Sequence, residues 1–393
     1  MPSSPSVMSP LAHDRRRLLS FRMRALVAPL AGALTLVLLT PAAALATVNV
    51  TPDVTDKVSG GGVRAIAHAG DRTFIGGSFT GVGGQARNNV AAIAADGDVD
   101  RLFNPGTDGK VRAVAASKDG SVIFLGGTFS MAGGAPRANL AAVDAVTGEA
   151  LAGWQANTTG TTPDVNSLAV HGDRLYVGGR FGGIDGSGRK RLVATDTATG
   201  NLVSEFRPEP NASVTEVVVS PDGSTVYAGG AFTALGGQAR QRAGSVHAAT
   251  GLATDFAPAG DGGNVITVGL SPDGSRFFYG TSNNTLFAYN PAVSNEPIWL
   301  IKTSGNTQAI EVSNDELWIG GHFSQIVTTK TPRPFIASLD PVDGSVNDWN
   351  PNCTGAKQGV WALLLEGNQL HVGGYFSGFG LVKQRGYARF SEV

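Results

Sequence analysis

Arg87, Arg137, Arg189 and Arg240 each stand eleven residues beyond the first glycine of a recurring Gly-Gly pair, and Arg333 and Arg385 follow the same landmark one or two residues later. A guanidinium presents a fixed fork of donors that matches a carboxylate, phosphate or sulfate group. Six of them in one loop of a repeated unit would form a positive ring on one face. They are the candidate ligand-binding residues. The recurrence also has a plainer meaning. A residue present in nearly every unit commonly serves the unit itself, by bonding carbonyls or an acid next to it.

The remaining reactive residues form no recognisable set. His68, His171, His247, His322 and His371 show no H-x-H or H-E-x-x-H spacing, so no metal site is expected. Asp96, Asp98 and Asp100 faintly resemble a calcium loop. They lack the following glycine and the distant glutamate of such a loop and read as an ordinary turn. Cys353 lies between Asn352 and Thr354 with no histidine nearby, and reads as an inert loop thiol. The glycine pairs are not followed by G-K-[ST], so they do not form a phosphate loop, and no G-x-S-x-G elbow occurs. No catalytic residue, metal or cofactor is expected. Trp154, Trp299, Trp318, Trp349 and Trp361 are of a type that can stack on sugars, although such residues more often pack a core.

The elements that must carry these residues are repeats. Ile75-Gly76-Gly77-Ser78-Phe79 returns at 125–129, 177–181, 228–232, 319–323 and 372–376, with a decayed copy at 279–281. Seven units at a spacing near fifty residues fall in the range of propeller blades. Each reads as four short strands; in the second unit these are 111–116, 121–129, 139–143 and 151–154. Asp-Gly turns such as Ser117-Lys118-Asp119-Gly120 join the first two. Helical periodicity is absent over any stretch long enough to cover a parallel sheet.

A four-stranded sheet cannot bury both faces alone, whereas seven set radially bury each face against a neighbour. The expected fold is therefore all-β, a seven-bladed β-propeller. The glycine pair would allow close backbone approach, and the phenylalanine two places on would fill the wedge between blades. The last unit ends on a third strand, so the strand beginning at Val48 is expected to complete that blade and close the ring. The fifth unit lacks the loop that follows the glycine pair and should be the irregular one.

Residues 1–46 form a separate segment. Five arginines up to Arg24 precede an apolar run of about fifteen residues and the small residues before Ala46. This is the pattern of a signal peptide cleaved after Ala46, short of the roughly 20 residues that span a bilayer. The segment carries five Arg and one Asp against a whole-chain charge of −1, so the remainder, one domain over 47–393, carries −5. Such a chain has no basic block for nucleic acid and no feature that would hold it on an anionic membrane. Glycine at 54 residues and only 16% charged residues exclude disordered and mainly helical classes. A single Cys excludes a disulfide scaffold.

The G-G-x-F unit, with its trailing glycine pair, its arginine and its D-x-x-T-G turn (Asp144 to Gly148, Asp196 to Gly200), resembles the delta-60-type repeats of secreted bacterial propellers. It is also similar to repeats in fungal cortical marker proteins. The likeness runs over essentially all of 47–393. It implies a secreted, extracellular or envelope-associated propeller with no shared reaction. The expected role is a monomeric binding module for an extracellular protein or a glycan. The alternative is a propeller enzyme with a site in the central funnel, either a quinone-type oxidoreductase or a hydrolase or lyase.

Overall fold

The computed structural model describes residues 48–355 and 358–392. The expected signal peptide, 1–46, and its expected cleavage point lie outside the described residues. No helix occurs among the described residues.

Seven antiparallel sheets follow one another along the chain, each a meander of first, second and third strand. Their first strands are Gly62–Ala69, Lys110–Ala116, Asp164–His171, Val214–Val219, Val265–Leu270, Thr307–Val312 and Val360–Glu366. Each first strand packs beside the first strand of the next sheet, and the seventh packs beside the first, so the seven line a central axis. The fold is a β-propeller.

The glycine pair has two separate steric duties. A Cβ on Gly76 would sit 2.6 Å from both Val111 Cγ1 and Val114 Cγ2 of the following blade. A Cβ on Gly77 would sit 2.2 Å from the carbonyl oxygen of Gly62 in its own blade. The first glycine admits the neighbour's valine; the second admits a β-bulge in the first strand. That bulge occurs in every blade, as a register skip between Val63 and Ala65, Val111 and Ala113, Val165 and Ser167, Val214 and Glu216, Val265 and Thr267, Thr307 and Ala309, and Val360 and Ala362. The repeated phenylalanines Phe79, Phe129, Phe181, Phe232, Phe323 and Phe376 are all buried, as the wedge role requires.

The turns follow the sequence. At Ser117–Gly120 the Ser117 hydroxyl donates to Asp119 Oδ1 at 2.6 Å, and Gly120 takes φ 72°. Hydrogen bonds from the Ser117 hydroxyl and from Ser121 hold the Asp119 carboxyl down at about 2. Asp222 and Asp273 repeat the arrangement.

The N-terminal strand closes the ring. Val48 bridges Glu392, Asn49 N–H donates to Ser391 O at 2.8 Å and Asp53 N–H donates to Arg389 O at 2.8 Å. Arg389 Nε and Ser391 Oγ both donate to Asp53 Oδ2 at 2.7 Å.

Two expectations change. Four full strands form only in the fifth sheet, where Trp299–Lys302 pairs with Thr285–Tyr289. Elsewhere the fourth segment makes one bridge to the third strand, such as Val143 with Ala150 or Leu339 with Val346, and then turns away. Its aromatic residue instead packs on a ring of the second strand in the first four blades: Phe103 meets Phe74 with centroids 4.9 Å apart, and Trp154 meets Phe124 at 5.7 Å. The fifth unit is the odd blade, as its missing loop predicts, and it departs from the others by forming the one full four-stranded sheet among the described residues. Cys353 is not in an open loop but in a buried two-residue strand, Cys353–Thr354, paired with Gly378–Phe379.

Candidate functional site

The repeated arginines come first because the sequence singled them out. Arg87, Arg137, Arg240 and Arg333 are buried. Each donates from Nη1 to the carbonyl of the residue before it, and from Nη2 to the fourth segment of its own blade. The Nη2 acceptors are Asp100 O and Arg101 O, Leu151 O, Thr254 O and Asn347 O, at 2.5 to 3.1 Å. Arg189 reaches Ser204 O at 2.9 Å and Phe206 O at 3.3 Å. Arg385 differs: it is exposed, and the buried Gln384 bonds Thr55 Oγ1 at 2.8 Å and Tyr387 O at 2.7 Å. Arg385 instead lines a groove of about 1350 Å³ along the closure seam, beside Lys57, Lys383 and the fully exposed Leu381. The structure therefore spreads these six over six blades, five of them pointing into their own blade.

The fifth blade explains what this bonding does. It has neither the loop nor the arginine, and it has the full fourth strand. Where the arginine is present, a guanidinium fork takes up carbonyls of a segment that does not continue as a strand, meeting the need of buried carbonyls for donors.

The other residues flagged by sequence fall into place simply. The Asp96 turn closes through Ala94 N–H to Asp98 O at 2.8 Å. His371 is buried, with Nδ1 2.8 Å from Tyr387 Oη, and burial pushes it down to about 4. Burial pushes the Cys353 thiol up to about 12, far from a thiolate. Trp154, Trp318 and Trp349 are buried, and only Trp299 and Trp361 are partly open.

Sequence reading missed the axis of the ring. The bulge skips one residue per blade, and a bulge re-aims its side chain. The skipped residues are Arg64, Arg112, Asn166, Thr215, Ile266, Gln308 and Trp361. Five of them, Arg64, Arg112, Asn166, Gln308 and Trp361, line one central cavity of about 160 Å³ with Glu216. They sit at the start of the first strand, opposite the end of the second, as in the pairing of Val63 with Gly77. They thus ring the channel mouth on the face that carries the loops between second and third strands. The sequence did hold a signal: residues on either side of the skipped position repeat, while its chemistry changes from unit to unit.

The mouth is chemically divided. On one side Arg112 Nε pairs with Asp164 Oδ1 at 2.9 Å, and Arg180 stands opposite Asp164 in register. On the other, the Arg64 guanidinium lies 4.0 Å from the Trp361 ring centroid and 5.5 Å from that of Tyr375. His322 meets Trp361 edge-on at 5.9 Å. Deeper in, Glu216 accepts Val268 N–H at 2.8 Å, tying the fourth blade to the fifth. Burial pushes Glu216 up to about 7. Burial pushes Glu311 up to about 8, with the carboxyls of Glu216 and Glu366 adding to the rise. Among the described residues no group of three or more His, Cys, Asp or Glu side chains is arranged to hold a metal.

Comparison with known proteins agrees with the architecture. No protein-family model matches the chain, and no curated protein matches its sequence. Among solved structures, a chain from the crystal structure of a mitotic checkpoint complex superposes with a TM-score of 0.61 at 14% identity, covering 96% of this chain and 99% of that one. The WD40 β-propeller domain of Doa1 superposes with a TM-score of 0.58 at 13% identity, covering 88% of this chain and 97% of that domain. At such identities the likeness establishes the propeller fold over nearly the whole chain and nothing finer.

Proposed function

We propose that the chain is an exported interaction module of the delta-60-type repeat class that binds an extracellular or cell-envelope partner, protein or glycan. Its binding face is the one carrying the loops between second and third strands, centred on the channel mouth. One observation carries this reading. All seven blades repeat the bulge, and six of them the glycine pair and wedge phenylalanine, yet the bulged residue is a different chemical type in most blades, and five of these residues line the axial cavity. Repetition serves the scaffold; a ring of unlike side chains at one rim serves recognition. The two structural neighbours, a chain of a mitotic checkpoint complex and a WD40 propeller domain, are in keeping with a binding role.

The test is retention of fractionated cell-envelope material on the immobilised protein. Trp361→Ala combined with Gln308→Ala should abolish retention, whereas Asp222→Ala on the opposite face should not. Retention that survives the first change and is lost with the second would put the binding face at the other end of the ring.

A further inference from the structure

Arg64 is the arginine at the mouth without an acid partner. Among the described residues it makes no ion pair, and its buried Nε has no hydrogen-bond partner. Two aromatic rings hold the guanidinium, at 4.0 and 5.5 Å. Stacking of this kind fixes the plane of an arginine and leaves its N–H edge free for an oxyanion. Arg112 does not compete for the same role, because Asp164 already faces it. The exposed Lys110 and Arg180 at the neighbouring strand ends add positive charge around the opening, which draws anions toward it.

Apart from Arg112 Nε, which lies 2.9 Å from Asp164 Oδ1, two further orphaned atoms belong to residues lining the same cavity. Trp361 Nε1 is a buried donor without an acceptor, and Gln308 Oε1 is a buried acceptor without a donor. The cavity of about 160 Å³ has room for roughly five waters at ~30 Å³ each, or one ring-sized group, well below a drug-sized pocket. A bare carboxylate would satisfy Arg64 and Trp361 Nε1 but would offer nothing to Gln308. A carboxylate that also carries hydroxyls satisfies all three.

We propose that the channel mouth binds one sugar acid, a uronate residue of an acidic glycan, with its carboxylate on Arg64 and its hydroxyls on Gln308 and Trp361. This rests on the reading of the loop face as the binding face, and it narrows the partner there to an acidic polysaccharide. An acidic peptide, which matches the charge but not the hydroxyls, is the competing occupant.

The experiment titrates the purified protein with tetragalacturonate, an oligomer of glucuronate, neutral cellotetraose and a glutamate-rich peptide, following tryptophan fluorescence and heat. A uronate oligomer is expected to bind in a salt-sensitive manner. Cellotetraose and the peptide should each bind at least about tenfold more weakly, and Arg64→Gln should weaken the uronate by about 10- to 100-fold with melting unchanged. Gln308→Leu supplies a second reading should the Arg64 variant fail to fold, and it should lower affinity for the uronate without altering any residual binding of the peptide. Equal binding of cellotetraose, stronger binding of the peptide, or an unchanged affinity in both variants overturns the proposal. Envelope material retained by the protein but undisturbed by excess uronate would sink the sugar-acid site alone. If no envelope material is retained at all, it is the interaction module that fails.

Discussion

At the scale of single residues, the axis carries a consequence the rim does not. Glu216 and Glu311 are raised in the folded state, to about 7 and about 8, chiefly by burial, against about 4.3 in an unfolded chain. Their contribution to stability is complete below the unfolded value and disappears as pH rises through the folded ones. The protein should therefore melt at a higher temperature at pH 5 than at pH 8.5, by a difference worth on the order of 1–3 kcal/mol per carboxyl. Glu216→Gln with Glu311→Gln should flatten that slope. A melting temperature that is level across the window in the unaltered protein would contradict the raised carboxyls. Neither glutamate attracts notice in the sequence, where each is one more residue in a β-rich run. Their perturbation depends on which strands become innermost, and that is settled only when the ring closes. Arg64 was hidden for a related reason: the repeat and the closed ring make 64 and 361 neighbours, but the bulge that turns both toward the axis forms only in the folded sheet.

At the scale of elements, the arginine and the fourth strand stand in for one another. Blades with the arginine fork, or with Gln384 in the last, have a fourth segment of a single bridge; the fifth blade has a strand and no fork. Removing one fork leaves buried carbonyls without donors. Arg333→Ala should cost about 2–3 kcal/mol, and Arg333→Lys should not restore it, since an ammonium cannot bridge two separated carbonyls in one plane. Thermal melting checks both. If melting stays unchanged while envelope binding is lost, the arginine serves the ligand and not the blade. The turns, the repeat and the wedge phenylalanines were legible because each depends on local chemistry, as at Asp119 and Gly120. The missing fourth strands were not. Residues 151–154 look as strand-like as others that do pair, and what diverts them is Arg137 with the docking of Trp154 on Phe124, both of which are tertiary.

At the scale of the whole molecule, closure depends on the segment from Val48 to Asp56. It supplies the bridge to Glu392, and its Asp53 takes both Arg389 and Ser391. Trp349 Nε1 also donates to Asn49 O at 3.1 Å, so the sixth blade is tied to the same strand. Deleting 47–56 should lower the melting temperature sharply and expose an unpaired edge on the last blade that favours self-association. Light scattering and calorimetry would show it, and an unchanged melting temperature would mean that the seam is held by other contacts. This closure was readable from the chain, because a final unit ending on its third strand leaves one place for a partner.

A blade shared between the first and last described strands also orders events in time. Six sheets draw their strands from nearby sequence and can form as their residues become available, but the seventh unites residues from the two extremes of the chain. Such a pairing closes the longest loop among the described residues, at an entropic cost that rises with the logarithm of loop length and a rate that falls with sequence separation. Where that pairing forms last, the ring passes through an open arc whose first strand lacks its neighbour. On that route the channel, with Arg64 on one lip of the gap and Trp361 on the other, is completed when the two lips meet.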